Sequence, residues 1–322
     1  MSSEDFSLSP KGPLPENAGA SAFPLPIVRR ADRYWFHFLL FGLTLLTMTL
    51  AGACMQYDFD RNAPFDLERI YTQYIVFWHR PSELLTGLPF ALTLMAILLA
   101  HELGHFLAAS YHRVDASLPY FLPSPSLLGT FGAFIKVRSP IYSKGVLFDI
   151  GAAGPLAGFV FLLPALAVGL AFSKVIPDIG NQGMAQFGSP GLQWIMERLI
   201  FPGVPSSDIY LHPVARAAWV GMLATALNLL PIGQLDGGHI LYSFFPRQHK
   251  TISKVVCLLL LPLAWFWFWW LFWAALLFWL GRRHPAIYDD TDLTPGRRKL
   301  GWAALAVFIL CFTYAPITAG GL

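Results

Sequence analysis

Long stretches without charge constrain this chain more than any other feature. A helix needs about 20 consecutive apolar residues to cross the hydrocarbon core of a bilayer. Trp35 to Met55 contains no Lys, Arg, Asp or Glu, and neither do Val255 to Leu280 and Leu300 to Ala319. Val146 to Phe172 carries only Asp149, and Pro213 to Leu235 carries only Arg216. Leu84 to Tyr111 is apolar apart from one cluster of ionisable residues. The pattern predicts an all-α integral membrane protein with about six transmembrane helices. Of the 322 residues, 55% are hydrophobic and only 13% charged. That is too few charges for a water-facing surface, and too apolar for a disordered chain. The net charge of +3, with basic residues at the ends of apolar runs, argues against a nucleic-acid partner. Cys54, Cys257 and Cys311 lie in apolar stretches and read as small buried hydrophobes.

The Lys/Arg bias orients the spans. Residues 1–33 read as a flexible cytosolic tail ending in Arg29, Arg30 and Arg33, and not as a signal peptide. Residues 34–83 then form the first transmembrane helix and an outer loop. The segment His112 to Gly145, with Arg113, Lys136, Arg138 and Lys144, lies inside, and Ser173 to Leu211 lies outside. Residues 246–322 hold the C-terminal transmembrane helices. There Arg282, Arg283, Arg297, Arg298 and Lys299 would fall outside if Val255 to Leu280 crossed once. Either the charge rule fails late in the chain, or this Trp-rich run is a re-entrant or interfacial hairpin. Its Trp265 to Trp279 stretch reads as lipid-facing bulk or a packing surface. The charge bias, with no transit peptide, points to a bacterial cytoplasmic membrane with the N-terminus cytosolic.

Ionisable residues inside a span are costly and mark function. The second span contains His101-Glu102-Leu103-Gly104-His105. Residues i and i+4 share a helix face, so both imidazoles can bind one zinc ion. Glu102 stands where a general base is needed, to take a proton from an attacking water. A catalytic zinc needs a third protein ligand. The intramembrane candidates are Asp149 and Asp236. Asp236 follows Pro231 and Gly233, which break the fourth helix, and irregular backbone at this depth is tolerated where it lines a cavity. It reaches the histidines if the second and fourth helices pack together. Asp149 reads as a helix-start carboxylate at the membrane surface.

His101-Glu102-Leu103-Gly104-His105, followed by Asn228, Pro231 and Leu235-Asp236-Gly237, resembles the site-2 protease family of intramembrane zinc metalloproteases. Gly151-Ala152-Ala153-Gly154-Pro155-Leu156-Ala157-Gly158 looks like that family's third core helix. The stretch from His212 to His239 is similar to the branch of chloroplast members and their bacterial relatives, and the outer segment Ser173 to Leu211 is too short for the outer peptide-binding domain that many bacterial members carry. The resemblance implies a three-helix catalytic core within residues 84–245. It implies one Zn2+ on His101, His105 and Asp236, with Glu102 as base and Asn228 helping to hold the substrate carbonyl. His239 is not a family ligand, and a surface or packing role suits it. Its substrate would be a transmembrane protein or peptide in the lipid bilayer.

Between the second and third helices, Phe131, Ala133, Ile135 and Val137 alternate with Gly132, Phe134 and Lys136. This strand-like pattern predicts a short re-entrant β segment, with Gly129, Thr130, Phe131, Gly132 and Ala133 offering an open edge to an unwound substrate. Two rival functions stand beside the leading one. One is a membrane zinc protease for lipidated or signal-remnant peptides. The other is a non-catalytic metal-dependent membrane binder, for which Glu102 would be superfluous.

Overall fold

Proline starts three of the helices, and proline and glycine end the run of one of them. The computed structural model describes residues 33–319 apart from 65, 67, 68, 184, 281–286, 288 and 290. The tail expected before Arg33, and Arg282 and Arg283, lie outside the described residues. Helix α1 (Tyr34–Asp60) is followed by α2 (Arg69–His79) and a 3-10 segment, Pro81–Gly87, that runs into α3 (Leu88–Tyr111). Strands β1 (Tyr120–Pro123) and β2 (Thr130–Phe134) form an antiparallel hairpin before α4 (Lys144–Ala171). The next segment holds β3 (Lys174–Val175), α5 (Ile179–Gln182), β4 (Ala185–Phe187), α6 (Gly191–Ile200) and β5 (Ile209–Tyr210). Then come α7 (Pro213–Asn228), α8 (Asp236–Phe244), α9 (His249–Leu263), α10 (Trp269–Leu280), α11 (Pro295–Cys311) and β6 (Ile317–Ala319). Pro89, Pro213 and Pro295 sit in the first turns of α3, α7 and α11, where a missing N–H costs nothing.

Three helical stretches among the described residues are long and apolar enough to cross a membrane: Tyr34–Asp60, Pro81–Tyr111 and Lys144–Ala171. They match the first three expected spans. The other three apolar runs do not form helices of that length. The fourth stops at Asn228, ahead of Pro231 and of Gly233 at φ +56°. The sixth stops at Cys311, and its tail pairs as β6 with β4.

The Trp-rich run reverses direction at residues 264–268. Cys257 and Leu260 of α9 share an apolar cluster with Trp270, Ala274 and Leu277 of α10. The Trp270 indole donates to the Tyr314 carbonyl at 2.7 Å, so the α9–α10 turn lies where α11 ends. The other end of α11 is fixed by Arg297, whose guanidinium donates to Asp149 at the start of α4 at 2.6 and 2.8 Å. Arg297, Arg298 and Lys299 therefore lie at the same end of the bundle as Lys144. For these three residues the arrangement fits the hairpin alternative. Trp265 and Trp279 are exposed and Trp270 is buried, so the run supplies both an exposed aromatic surface and packing.

The core lies where α1, α3, α4 and α7 meet, around Met48, Phe90, Leu94, Leu162, Leu166 and Met222, all 0% exposed. In lipid, such packing relies on close backbone approach at small residues. A Cβ on Gly169 of α4 would strike the backbone of Ala215 in α7. Gly169→Ala is expected to cost about 1–3 kcal/mol by forcing the two helices apart. A thermal unfolding series in detergent checks this, and an unchanged midpoint would refute it.

Candidate metal centre

Helix α3 carries His101 and His105 one turn apart, facing α4 and α8. Both rings are buried, as is Glu102. The Ile150 carbonyl of α4 lies 2.7 Å from His105 Nδ1. A carbonyl only accepts, so Nδ1 holds the proton and the Nε2 lone pair is left facing His101 Nε2 at 3.1 Å. Asp236 opens α8 just after the Pro231–Gly233 turn, and its Oδ2 lies 3.2 Å from His101 Nε2 and 3.3 Å from His105 Nε2. The turn is tied down by Ser253 of α9, whose Oγ donates to the Pro231 carbonyl at 3.2 Å.

These donors fit zinc. Four ligands in a tetrahedron at Zn–N and Zn–O distances of about 2.0–2.1 Å stand about 3.3 Å apart. The three atoms here form a triangle with edges of 3.1, 3.2 and 3.3 Å. Among the described residues, His101, His105 and Asp236 are the one group of this kind. Asn228, the last residue of α7, brings its Nδ2 to 3.2 Å from His101 Nε2.

Glu102 lies beside the triangle and accepts a hydrogen bond from the Ile135 backbone N–H. That bond brings the β1–β2 hairpin up to the site. Its residues divide the work unevenly. Gly129, at φ +74°, packs against the α1 backbone at Thr47 and Met48, and its carbonyl accepts from the Thr47 hydroxyl at 2.6 Å. Thr130 is buried, its hydroxyl donating to the Leu122 carbonyl at 2.9 Å. Phe131 is exposed, Ala133 packs on the core, and Gly132 at φ +103° has open space around it. Among the described residues β2 pairs only with β1, so its outer edge is open. Ile135 itself escaped the sequence reading of the site. The alternation marked it as strand, but a backbone N–H leaves no signature in residue type.

Small residues of α4 make room for the histidines. A Cβ on Gly154 would run into the His105 ring, and one on Gly158 would crowd His101. His239 packs its Cβ over Gly151. Asp149 stands apart from the triangle. It accepts from Arg297 twice and meets His112 Nε2 at 2.8 Å, joining α3, α4 and α11. The sequence reading missed this network because its partners are far apart in the chain. Arg297→Gln is expected to lower stability by about 1 kcal/mol, since the pair is partly exposed. Chemical denaturation of the purified protein beside Asp149→Asn checks this. Losses that add in the double variant would show that the two groups are not coupled.

The described residues combine helices long and apolar enough to cross a membrane with a buried two-histidine, one-carboxylate group that could hold a metal ion. Residues 89–263 match Peptidase family M50, and the chain belongs to that family, the site-2 proteases. Similar proteins are the probable zinc metalloproteases EGY1 and EGY2 of Arabidopsis thaliana, both named as chloroplastic. They are 32% and 30% identical over 72% and 71% of this chain and 43% and 42% of their own lengths. The EGY1 counterpart of Oryza sativa subsp. japonica is 38% identical over 51% of this chain and 29% of its own length. The chain thus spans less than half the length of these relatives. Their names place them in chloroplasts and lend no support to the bacterial membrane expected from the charge bias.

Proposed function

We propose that the protein is an intramembrane zinc endopeptidase that cuts a peptide bond in or near a transmembrane segment of a protein substrate. The observation that carries this reading is the buried triangle of two imidazole nitrogens and one carboxylate oxygen with Glu102 beside it. His101, His105 and Asp236 would hold the ion. Bound zinc supplies Lewis acidity that polarises the scissile carbonyl and lowers the pKa of water. Glu102 takes the proton of the attacking water and returns it to the leaving amine. The Asn228 amide N–H donates to the substrate carbonyl oxygen as charge develops there. A helix hides its peptide bonds, so the substrate must be drawn out before it is cut. The open edge of β2 suits that task, because an extended segment can add to it as a further strand. The Ile135 N–H keeps Glu102 and that edge in register. Membrane helices in the chain and M50 membership support a multi-pass membrane location.

The test is cleavage of single-span peptides by the purified protein reconstituted in liposomes. Cleavage is expected to stop on chelation and to return with added zinc. Cleavage unaffected by chelation would overturn the reading. Zinc bound one to one, with no cleavage of any spanning peptide, would favour a metal-dependent binder.

A further inference from the structure

A polar cavity at the far end of α7 holds groups that peptide cleavage does not use. Its volume is about 230 Å³, and its lining includes Asn181, Gln186, Gln193, Glu197, Ser206 and Arg216. Arg216 precedes Asn228 by three turns or more of one helix, about 18 Å along its axis. The cavity is therefore separate from the metal centre.

Two of its groups are unmatched. The Arg216 guanidinium lies 5.3 Å from the ring centres of Phe187 and Tyr210. Among the described residues it makes no hydrogen bond and no ion pair. Asp58 attracts it only through space, and the Asp58 carboxylate accepts from Gln73 Nε2 at 2.7 Å. Gln193 is 3% exposed, and its Oε1 has no hydrogen-bond partner. Its Nε2 donates to Glu197 Oε1 at 2.6 Å, which leaves the oxygen turned away from that carboxylate. Ser206 Oγ donates to Glu197 Oε2 at 2.6 Å, so both Glu197 oxygens are already engaged. Burial pushes the Glu197 carboxyl above its ordinary range, which weakens its repulsion of an anion nearby. The half-buried Arg216 guanidinium keeps its hydrogen-bond donors free for an incoming anion. Placed near the start of α7, it also adds to the positive end of the helix dipole.

We propose that this cavity binds a small carboxylate ligand that also carries an N–H donor, the chemistry shared by a free α-amino acid and the C-terminal residue of a peptide. The carboxylate pairs with Arg216, whose planar fork matches it, and Gln193 Oε1 accepts the N–H. A volume below the usual range for drug-sized ligands suits one or two residues. This site does not depend on the cleavage reading.

The test is calorimetric titration of the full-length protein in detergent micelles with N-acetyl-Ala-Ala, its C-terminal amide, free alanine and inorganic phosphate. The acid is expected to bind at least tenfold more tightly than the amide. Arg216→Gln is expected to weaken the acid at least tenfold. Alanine binding as well as the acid would assign a free amino acid, and weaker alanine binding a peptide terminus. No binding of the acid, equal binding of acid and amide, or phosphate binding as tightly as the acid would overturn the proposal. So would acid binding that survives Arg216→Gln, since that binding sits elsewhere, the metal centre included. If circular dichroism shows that Arg216→Gln does not fold, Gln193→Leu replaces it with the same tenfold expectation. The wild-type comparison of acid with amide stands in either case.

Discussion

Glu102→Gln is expected to lower the rate of peptide cleavage about 10²–10⁴-fold while leaving zinc bound one to one. The replacement keeps the length and shape of the side chain. Its amide oxygen can still accept the Ile135 N–H that fixes the wild-type carboxylate. What it removes is the ability to take a proton from water and give it to the leaving amine. The three metal donors belong to other residues, so the ion should stay. Single-turnover cleavage of a spanning peptide, read beside metal content, separates the two effects. A rate within fivefold of wild type would exclude Glu102 as the base. Loss of zinc together with rate would show that Glu102 shapes the donor set instead.

Gly154→Ala is expected to weaken zinc binding by about 10–100-fold or more, a loss of the size seen when the support of a metal ligand is removed. Alanine is the better helix former by about 1 kcal/mol, so local propensity alone would make this change stabilising. The space does not allow it. The added methyl falls on the His105 ring, whose Nδ1 is already held by the Ile150 carbonyl of the same helix. The ring must turn, and its Nε2 leaves the triangle. Competition with a chromogenic chelator measures the affinity. Activity should recover in part as zinc is raised, because Glu102 is untouched. An affinity within twofold of wild type would mean that α4 yields and that His105 is not held against Gly154.

Some of this architecture was legible because it is local. His101 and His105 share a helix face by spacing alone, and Asp236 betrayed itself as a carboxylate in a broken apolar run. The first three spans were legible because hydropathy and length suffice to mark a long helix. The remaining runs were not, for two physical reasons. Hydropathy is blind to a chain reversal made of aromatic residues, and residues 264–268 are such a reversal. Hydropathy also cannot tell a span from a shorter helix whose tail joins a strand, as α11 and β6 do. The contacts that set the site's fine geometry join distant residues. Ile135 to Glu102, Ile150 to His105 and Arg297 to Asp149 are tertiary pairings that no window along the chain contains.

The division of the metal donors between α3 and α8 also orders events while the chain is being made. Ribosomes deliver residues in sequence, so the two imidazoles reach the bilayer long before the carboxylate. A chain that has grown only as far as α7 offers two nitrogens to an ion and leaves the remaining places to water. The carboxylate follows the imidazoles but precedes α9, whose Ser253 ties down the turn that carries it.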